Sequence, residues 1–285
     1  MAINIHFFRD NNVGRLDYKK LLEYFDEFPT FKTYYSEDEV EILCLDKEFK
    51  FEYRYLITKR CRVNQIYKLD PAYTNVNFLL ELPIMIPTPI AKEILGFAQK
   101  MCKEFDLVVY CDTFSDVKQF NLVELYNLFD TTRSAYIDEF GLQNKLPIET
   151  EKLSEICKYQ RTVENLKEYY HNEIDVNYCE PIIDKVTNEH GISCTWNFGI
   201  PTVFPPHLDY VCIRDEENVE FMVRRADFYG IMGKYLEDIV GFLPDMYILK
   251  PKKAKAARKT INKLRKFAIV DQNFKSIRIS DFIDR

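Results

Sequence analysis

The stretch that most narrows the folds open to this chain is residues 76–112, an apolar run, an amphipathic helix and a second apolar run broken by one proline turn. Residues 76–86 (VNFLLELPIMI) carry one charge, Glu81, and residues 107–111 (LVVYC) carry none, the pattern of strands buried on two faces. Between them Thr88 is placed to cap a helix. Pro89 suits its first position, because the missing N–H of proline would have no intrahelical partner there. Ile90, Ile94, Phe97, Ala98, Met101 and Phe105 then recur at helical spacing, with Lys92, Glu93, Gln99, Lys100 and Lys103 on the other face. Strand, helix and strand with short connections predict a right-handed crossover between parallel strands of one sheet.

The rest of the chain must supply that sheet with neighbours. Its 285 residues, 47% hydrophobic and 15% aromatic, are enough for one large domain or two ordinary ones. Eight glycines are few, which argues against tight-hairpin folds and glycine-lined phosphate loops. The opening residues MAINIHFFRD lack the basic segment, apolar core and cleavage site of a signal peptide and read as a first strand. No run reaches the roughly 18 apolar residues of a membrane span. Eight cysteines scattered mostly in apolar runs, such as Cys44, Cys102, Cys111 and Cys212, read as reduced core residues. A cytoplasmic location is the expectation.

In order, Ile3, Ile5 and Phe7 alternate with polar residues as in a half-buried strand. Asp17 is placed to cap a helix carrying Tyr18, Leu21, Leu22, Phe25 and Phe28, which Pro29 ends. Residues 40–45 and 49–58 read as a hairpin, and the polar residues 60–75 as a connection. Beyond 112 the pattern turns helical, with an apolar helix over 120–129, a break at 141–147 and a polar helix over 149–170 whose narrow stripe suits one-sided packing. Residues 180–190 read as a further helix closed by Gly191, and 192–198 as a strand. Pro201, Pro205 and Pro206 make 199–207 a turn or edge crossing rather than sheet interior. A second hairpin (210–213 and 219–223), a helix near 229–242, a strand at 246–249 and a basic helix complete the chain.

These elements predict an α+β protein with two sheet-containing lobes, 1–117 and 176–285, joined by a helical middle, 118–175. The first lobe follows a strand, helix, hairpin, strand, helix, strand plan. The last third offers a similar plan, because residues 41–54 and 209–224 share hairpin character. An internal repeat is one reading; recurrence of α+β units without common ancestry is the other.

Five stretches could carry chemistry. Residues 250–266 (KPKKAKAARKTINKLRK) hold nine of the 39 Lys and Arg and no acidic residue, leaving 30 basic against 45 acidic residues elsewhere. Ala254, Ala257, Ile261 and Leu264 fall at helical spacing, so a basic helix over 250–267 would turn an apolar stripe inward and a cationic face outward. Lys252, Lys253, Lys255, Arg258, Lys259, Lys263, Arg265 and Lys266 are then candidate phosphate contacts on a nucleic acid; the competing reading is a solvated helix facing acidic groups of the same chain or of a partner. The apolar stripe lacks the bulky residues of membrane-surface helices. Asp112 and Asp116, with Thr113 and Ser115, follow a strand end, where open sheets bind ligands, and could hold a hydrated Mg²⁺; such residues are also ordinary turn formers and caps, Ser115 or Asp116 for the helix that follows. Cys179, His190, Cys194, His207 and Cys212 fall within 34 residues. Their spacing lacks the close pairs of zinc sites, so no metal and no cofactor is expected. Finally, His207 lies in the proline-rich PTVFPPHLD turn, rigid enough for a binding loop, and Arg224, Arg225 and Asp227 form a polar cluster whose simplest reading is surface ion pairing.

The phosphate-loop, dinucleotide, zincin and nucleophile-elbow motifs are missing from the sequence. The leading expectation is therefore a non-catalytic intracellular protein-binding role of the inhibitor, immunity or adaptor type, using an acidic body and a segregated basic helix, in which the acidic surface steers association with a basic partner at low salt. Nucleic-acid or nucleotide handling through 250–267 is the alternative, and a Mg²⁺-dependent enzyme using Asp112 and Asp116 a third.

Overall fold

The structure, a computed structural model, describes residues 1–142, 145–269 and 273–284. Residues 143 and 144 of the expected break, and 270–272 and 285 of the expected C-terminal lobe, lie outside the described residues. The chain forms an α+β protein with two compact units, one comprising 1–147 with 280–284 and the other 148–279.

The first unit is built on a six-stranded sheet. Its elements are β1 (Ala2–Asp10), α1 (Tyr18–Asp26), β2 (Phe31–Tyr35), β3 (Glu39–Asp46), β4 (Phe51–Thr58), β5 (Tyr73–Pro83), α2 (Thr88–Glu104), β6 (Leu107–Tyr110) and α3 (Leu122–Glu139). The strand order is β2-β3-β4-β5-β1-β6. β1 runs antiparallel to both β5 and β6, so those two are parallel, as the crossover predicts, but with β1 between them. Ile5, His6, Phe7 and Phe8 of β1 are buried in succession, and so on both faces of the sheet, which suits the strand to that central slot. Asp17 caps α1 as expected, accepting from the amides of Lys19 and Lys20. The expected hairpin is a three-stranded meander, because Phe31–Tyr35 adds β2 to β3. The residues before β3 alternate too briefly to stand out in the sequence.

On one face of the sheet, Phe7, Tyr55 and Phe78 meet Phe25 of α1 and Phe97 of α2, with ring centroids 4.8–6.4 Å apart. Burying rings of this size supplies a large share of a core's stabilisation. On the other face Phe8, Val108 and Tyr110 are covered by Val63, Leu69, Phe114 and Val117 from two loops. The unit is closed by its C-terminal residues, where β17 (Ile283–Asp284) pairs with β7 (Pro147–Ile148). Arg133 and Asp284 form an ion pair with side chains 4% and 0% exposed, at 2.7 Å. Asp284 also accepts from the amide of Thr88 at 3.1 Å, neutralising an N–H group at the start of α2 that no intrahelical carbonyl can reach.

The second unit contains α4 (Thr150–Tyr169), β8 (Asp175–Val176), β9 (Glu180–Asp184), β10 (His190–Asn197), β11 (Thr202–Phe204), β12 (Tyr210–Arg214), β13 (Glu220–Arg224), α5 (Arg225–Met232), β14 (Glu237–Asp238), β15 (Tyr247–Leu249), α6 (Pro251–Ala257), α7 (Ile261–Arg265) and β16 (Phe274–Ser276). Its sheets have the orders β13-β12-β10-β9-β16 and β14-β15-β11-β8. Trp196, Phe204 and Phe228 are fully buried and in mutual ring contact.

Four local expectations fail here for identifiable reasons. Residues 180–190 are not a helix: β9 and β10 form a hairpin whose turn is held by Asp184, accepting from Val186 and Thr187, with Asn188 at φ +60°. The spacing of Ile182 and Ile183 to Val186 imitates a helical stripe while the intervening residues turn the chain. Gly191 is not a helix terminus but a strand residue, and a Cβ there would lie 2.9 Å from Cβ of Asp209. Residues 202–204 are sheet interior, since β11 lies between β15 and β8; three residues fit between Pro201 and Pro205 without any proline having to donate. The helix expected at 229–242 starts at Arg225 and stops before Gly233. The hairpin β12–β13 forms as expected, but β12 lies parallel to β10, whereas β3 and β4 sit in an antiparallel meander. The plan of the first unit is therefore not repeated in the second.

Candidate functional site

The basic segment folds as the sequence predicts. Helical structure runs from Pro251 through α6, a 3₁₀ turn at Arg258–Thr260 and α7 to Arg265. Pro251 stands at the first position, where its missing N–H costs nothing. Ala254, Ala257, Thr260 and Leu264 are buried and Ile261 half-buried, while Lys252, Lys253, Lys255, Arg258, Lys259, Lys263, Arg265 and Lys266 are all exposed.

The structure divides these eight cations into two sets. Arg265 pairs with Asp215, and Arg258 pairs with Glu216 at 3.3 Å, both acids lying in the turn of hairpin β12–β13. Arg258 also lies against Gly199, where a Cβ would stand 2.9 Å from its Nε. Lys253 reaches the carbonyl of Lys234 at 3.5 Å. Lys252, Lys255, Lys259, Lys263 and Lys266 make no ion pair among the described residues. At about 100° per residue these five lie within roughly 80° of arc, nearly opposite the buried stripe. They form one lysine row along the outer side of the helix, and the two paired arginines share a flank. The division depends on which flank the β12–β13 turn approaches, which the sequence pattern does not contain.

Asp215 shows how the arginine flank is anchored. Its Oδ1 accepts from the amides of Glu217 and Val219, each at 2.9 Å. The Val219 amide, then Arg265 and the Glu217 amide, hold its carboxyl below the ordinary value against the opposing effect of burial.

Asp112 and Asp116 do fall in one loop beyond β6. Asp116, however, is engaged by backbone: its Oδ1 accepts from Asp70 at 2.9 Å and from Val117 at 2.7 Å, and these bonds lower its pKa. It ties the loop after β4 to the loop after β6. Asp112 is exposed. The cap of α3 is neither Ser115 nor Asp116 but Asn121, which accepts from Val123 and Glu124.

Among the described residues no group of three or more His, Cys, Asp or Glu side chains is placed to hold a metal ion. His190 and Cys194 lie four residues apart on β10, a separation of about 13 Å along an extended strand. Burial raises the thiol pKa of Cys179 and Cys194 well above the ordinary value, with no cation on either to offset it; such thiols are poor nucleophiles.

The more organised polar cluster surrounds His207, which the sequence marked only as part of a rigid turn. The chain bends there at φ +57°. Nε2 of His207 meets Glu155 of α4 at 2.5 Å, and its amide donates to Asp245 at 3.1 Å. Asp245 is gripped by both terminal nitrogens of Arg225. One turn before Glu155, Lys152 approaches Asp209 at 3.3 Å, and Asp209 accepts from the amide of Ile192 at 2.8 Å. Arg225 is therefore engaged in an internal tether. Among the described contacts no serine, threonine or cysteine approaches the His207 ring, so the pair fastens a loop to α4 without presenting a nucleophile.

In the first unit a cleft of about 450 Å³ lies at the end of α2, lined by Asp10, Gln99, Cys102, Lys103, Asp106 and Phe120 among others. Burial raises the Cys102 pKa, so this thiol too stays protonated.

Fold and surfaces together define a two-unit α+β protein with a lysine-faced helix. Comparison of the chain with protein-family models, with curated proteins and with solved structures finds no match. No helix among the described residues is long and apolar enough to cross a membrane.

Proposed function

We propose that this is a non-catalytic intracellular binding protein of the inhibitor, immunity or adaptor type, and that the lysine row of α6–α7 docks an acidic protein partner. The observation that carries this reading is the division of the cations: Arg258 and Arg265 are neutralised internally, whereas Lys252, Lys255, Lys259, Lys263 and Lys266 make no ion pair among the described residues and lie along one side of a helix whose apolar stripe is already buried. A cationic row on a chain of net charge −6 orients approach, because an acidic partner is attracted at the row and repelled elsewhere. Among the described residues no cysteine is joined in a disulfide, the exposed Cys61 included, which suits a reducing compartment.

The reading is tested with immobilised polyglutamate and, separately, a 20-nucleotide duplex, using the native protein and the Lys255→Gln, Lys259→Gln, Lys263→Gln triple variant. Retention on polyglutamate that is lost in the variant and in high salt supports it. Preference for the duplex, with a salt slope reduced by the variant, transfers the site to the nucleic-acid alternative. Binding to neither removes the proposed surface.

A further inference from the structure

Among the described residues the outer edge of the first unit's sheet has no backbone partner, in contrast to two other edges of the protein. The opposite edge, β6, is covered by a bridge in which Val109 and Lys118 exchange both backbone hydrogen bonds, at 2.8 and 2.9 Å. In the second unit the edge strand β13 receives a hydrogen bond from Ile269 to Met222 at 2.8 Å. Among the described residues β2 has a strand partner on one side only, and it carries Tyr34 and Tyr35 at 48% and 72% exposure.

The register identifies which backbone groups are open. Ser36 donates to Glu39 and Leu45 donates to Thr30, so the residues that exchange hydrogen bonds with β3 are those at even positions. In an antiparallel ladder the alternate residues turn their N–H and C=O the other way, and in β2 these are Phe31, Thr33 and Tyr35. The Phe31 amide is used by Phe28 at 3.1 Å. Thr33 and Tyr35 keep amides directed outward, and Phe31 and Thr33 keep carbonyls.

This edge is self-complementary. In an antiparallel pairing of two copies centred on Thr33, each Thr33 amide meets the other's Thr33 carbonyl, and each Tyr35 amide meets the other's Phe31 carbonyl, giving four hydrogen bonds. Lys32 then stands directly opposite Tyr34 of the second copy, twice, as a non-hydrogen-bonded pair, where side chains approach most closely. An ammonium beside a tyrosine ring is attractive. Lysine on an edge normally discourages pairing; in this register it meets an aromatic ring rather than another lysine. We propose that β2 is a homodimerisation edge, through which two copies of this chain join their six-stranded sheets antiparallel about a twofold axis at Thr33.

Sedimentation velocity across a concentration series tests this on the full chain, with circular dichroism checking that each variant folds. Thr33→Pro removes the amide at the axis but no bond to β3, since that amide points outward, and it should abolish the dimer while leaving the monomer folded. Tyr34→Lys should also give a monomer, because it sets Lys32 against a second lysine. Tyr34→Glu should retain or tighten the dimer by pairing with Lys32 of the other copy. A native chain that stays monomeric at all concentrations overturns the proposal, as does a dimer that persists in Thr33→Pro. A Tyr34→Glu variant that dissociates overturns the Thr33-centred register, because it would place the two residues at position 34 against each other.

Discussion

At the scale of single residues, the strongest constraints come from polar groups buried in the first unit. Breaking the Arg133–Asp284 pair by Asp284→Ala leaves a guanidinium uncompensated in the interior, and should cost about 3–5 kcal/mol in chemical denaturation. The double variant Arg133→Met, Asp284→Leu should recover much of that loss, since two apolar side chains need no partner. His6 gives a pH dependence. It is 4% exposed, and burial lowers its pKa below the ordinary 6.5, with Asp112 opposing the shift and Arg62 reinforcing it. A histidine held neutral in the fold takes up its proton more readily when unfolded, so stability is lost as pH falls through about 6.5 and below. The urea midpoint should therefore decline between pH 7 and 5 more steeply in the native protein than in His6→Leu.

At the scale of elements, the helices were legible and several strands were not. α1, α2, α4 and the basic helical segment announce themselves by apolar residues at three- and four-residue spacing over two turns or more, with Asp17, Pro89 and Pro251 at their starts. β2, β9 and β11 have three to five residues each, too few for alternation to be distinguished from a turn or a helical stripe. β2 and β9 pair with the strand that follows each in the chain, and β11 with strands at 175–176 and 247–249, so their status as strands rests on backbone pairing rather than on side-chain spacing. Gly191 is the residue where this matters most, since its hydrogen atom faces Asp209 across a strand pairing invisible in the sequence. Gly191→Ala should cost about 1–3 kcal/mol by overpacking, measured as a lower denaturation midpoint. The same substitution at Gly96, where nothing lies within 4 Å of a Cβ, should stabilise α2 by up to about 1 kcal/mol.

At the scale of the whole molecule, the boundary between units is not a single cut in the sequence. Residues 280–284 belong to the first unit although 148–279 separate them from it. A fragment of residues 1–147 therefore lacks the carboxylate that neutralises Arg133, and should unfold at lower denaturant than the same unit in the full chain. Adding a peptide of residues 279–285 should raise its midpoint, and Arg133→Met within the fragment should remove much of the deficit. A fragment as stable as the unit in the full chain would show that Asp284 contributes little.

The fold class, the strand–helix–strand unit of 76–112, the polar helix α4 and the two-sided character of the basic helix follow from the order of the amino acids alone. Each rests on side-chain periodicity within one continuous segment, and local periodicity is a property of the sequence alone. Tertiary structure decided which strand lies between β5 and β6, that β9 lies between β10 and β16, that Asp116 is engaged by the Asp70 amide, and which cations of 250–267 are neutralised by Asp215 and Glu216. Those outcomes depend on groups brought together from distant positions, where hydrogen-bond geometry and burial rather than spacing select the partner.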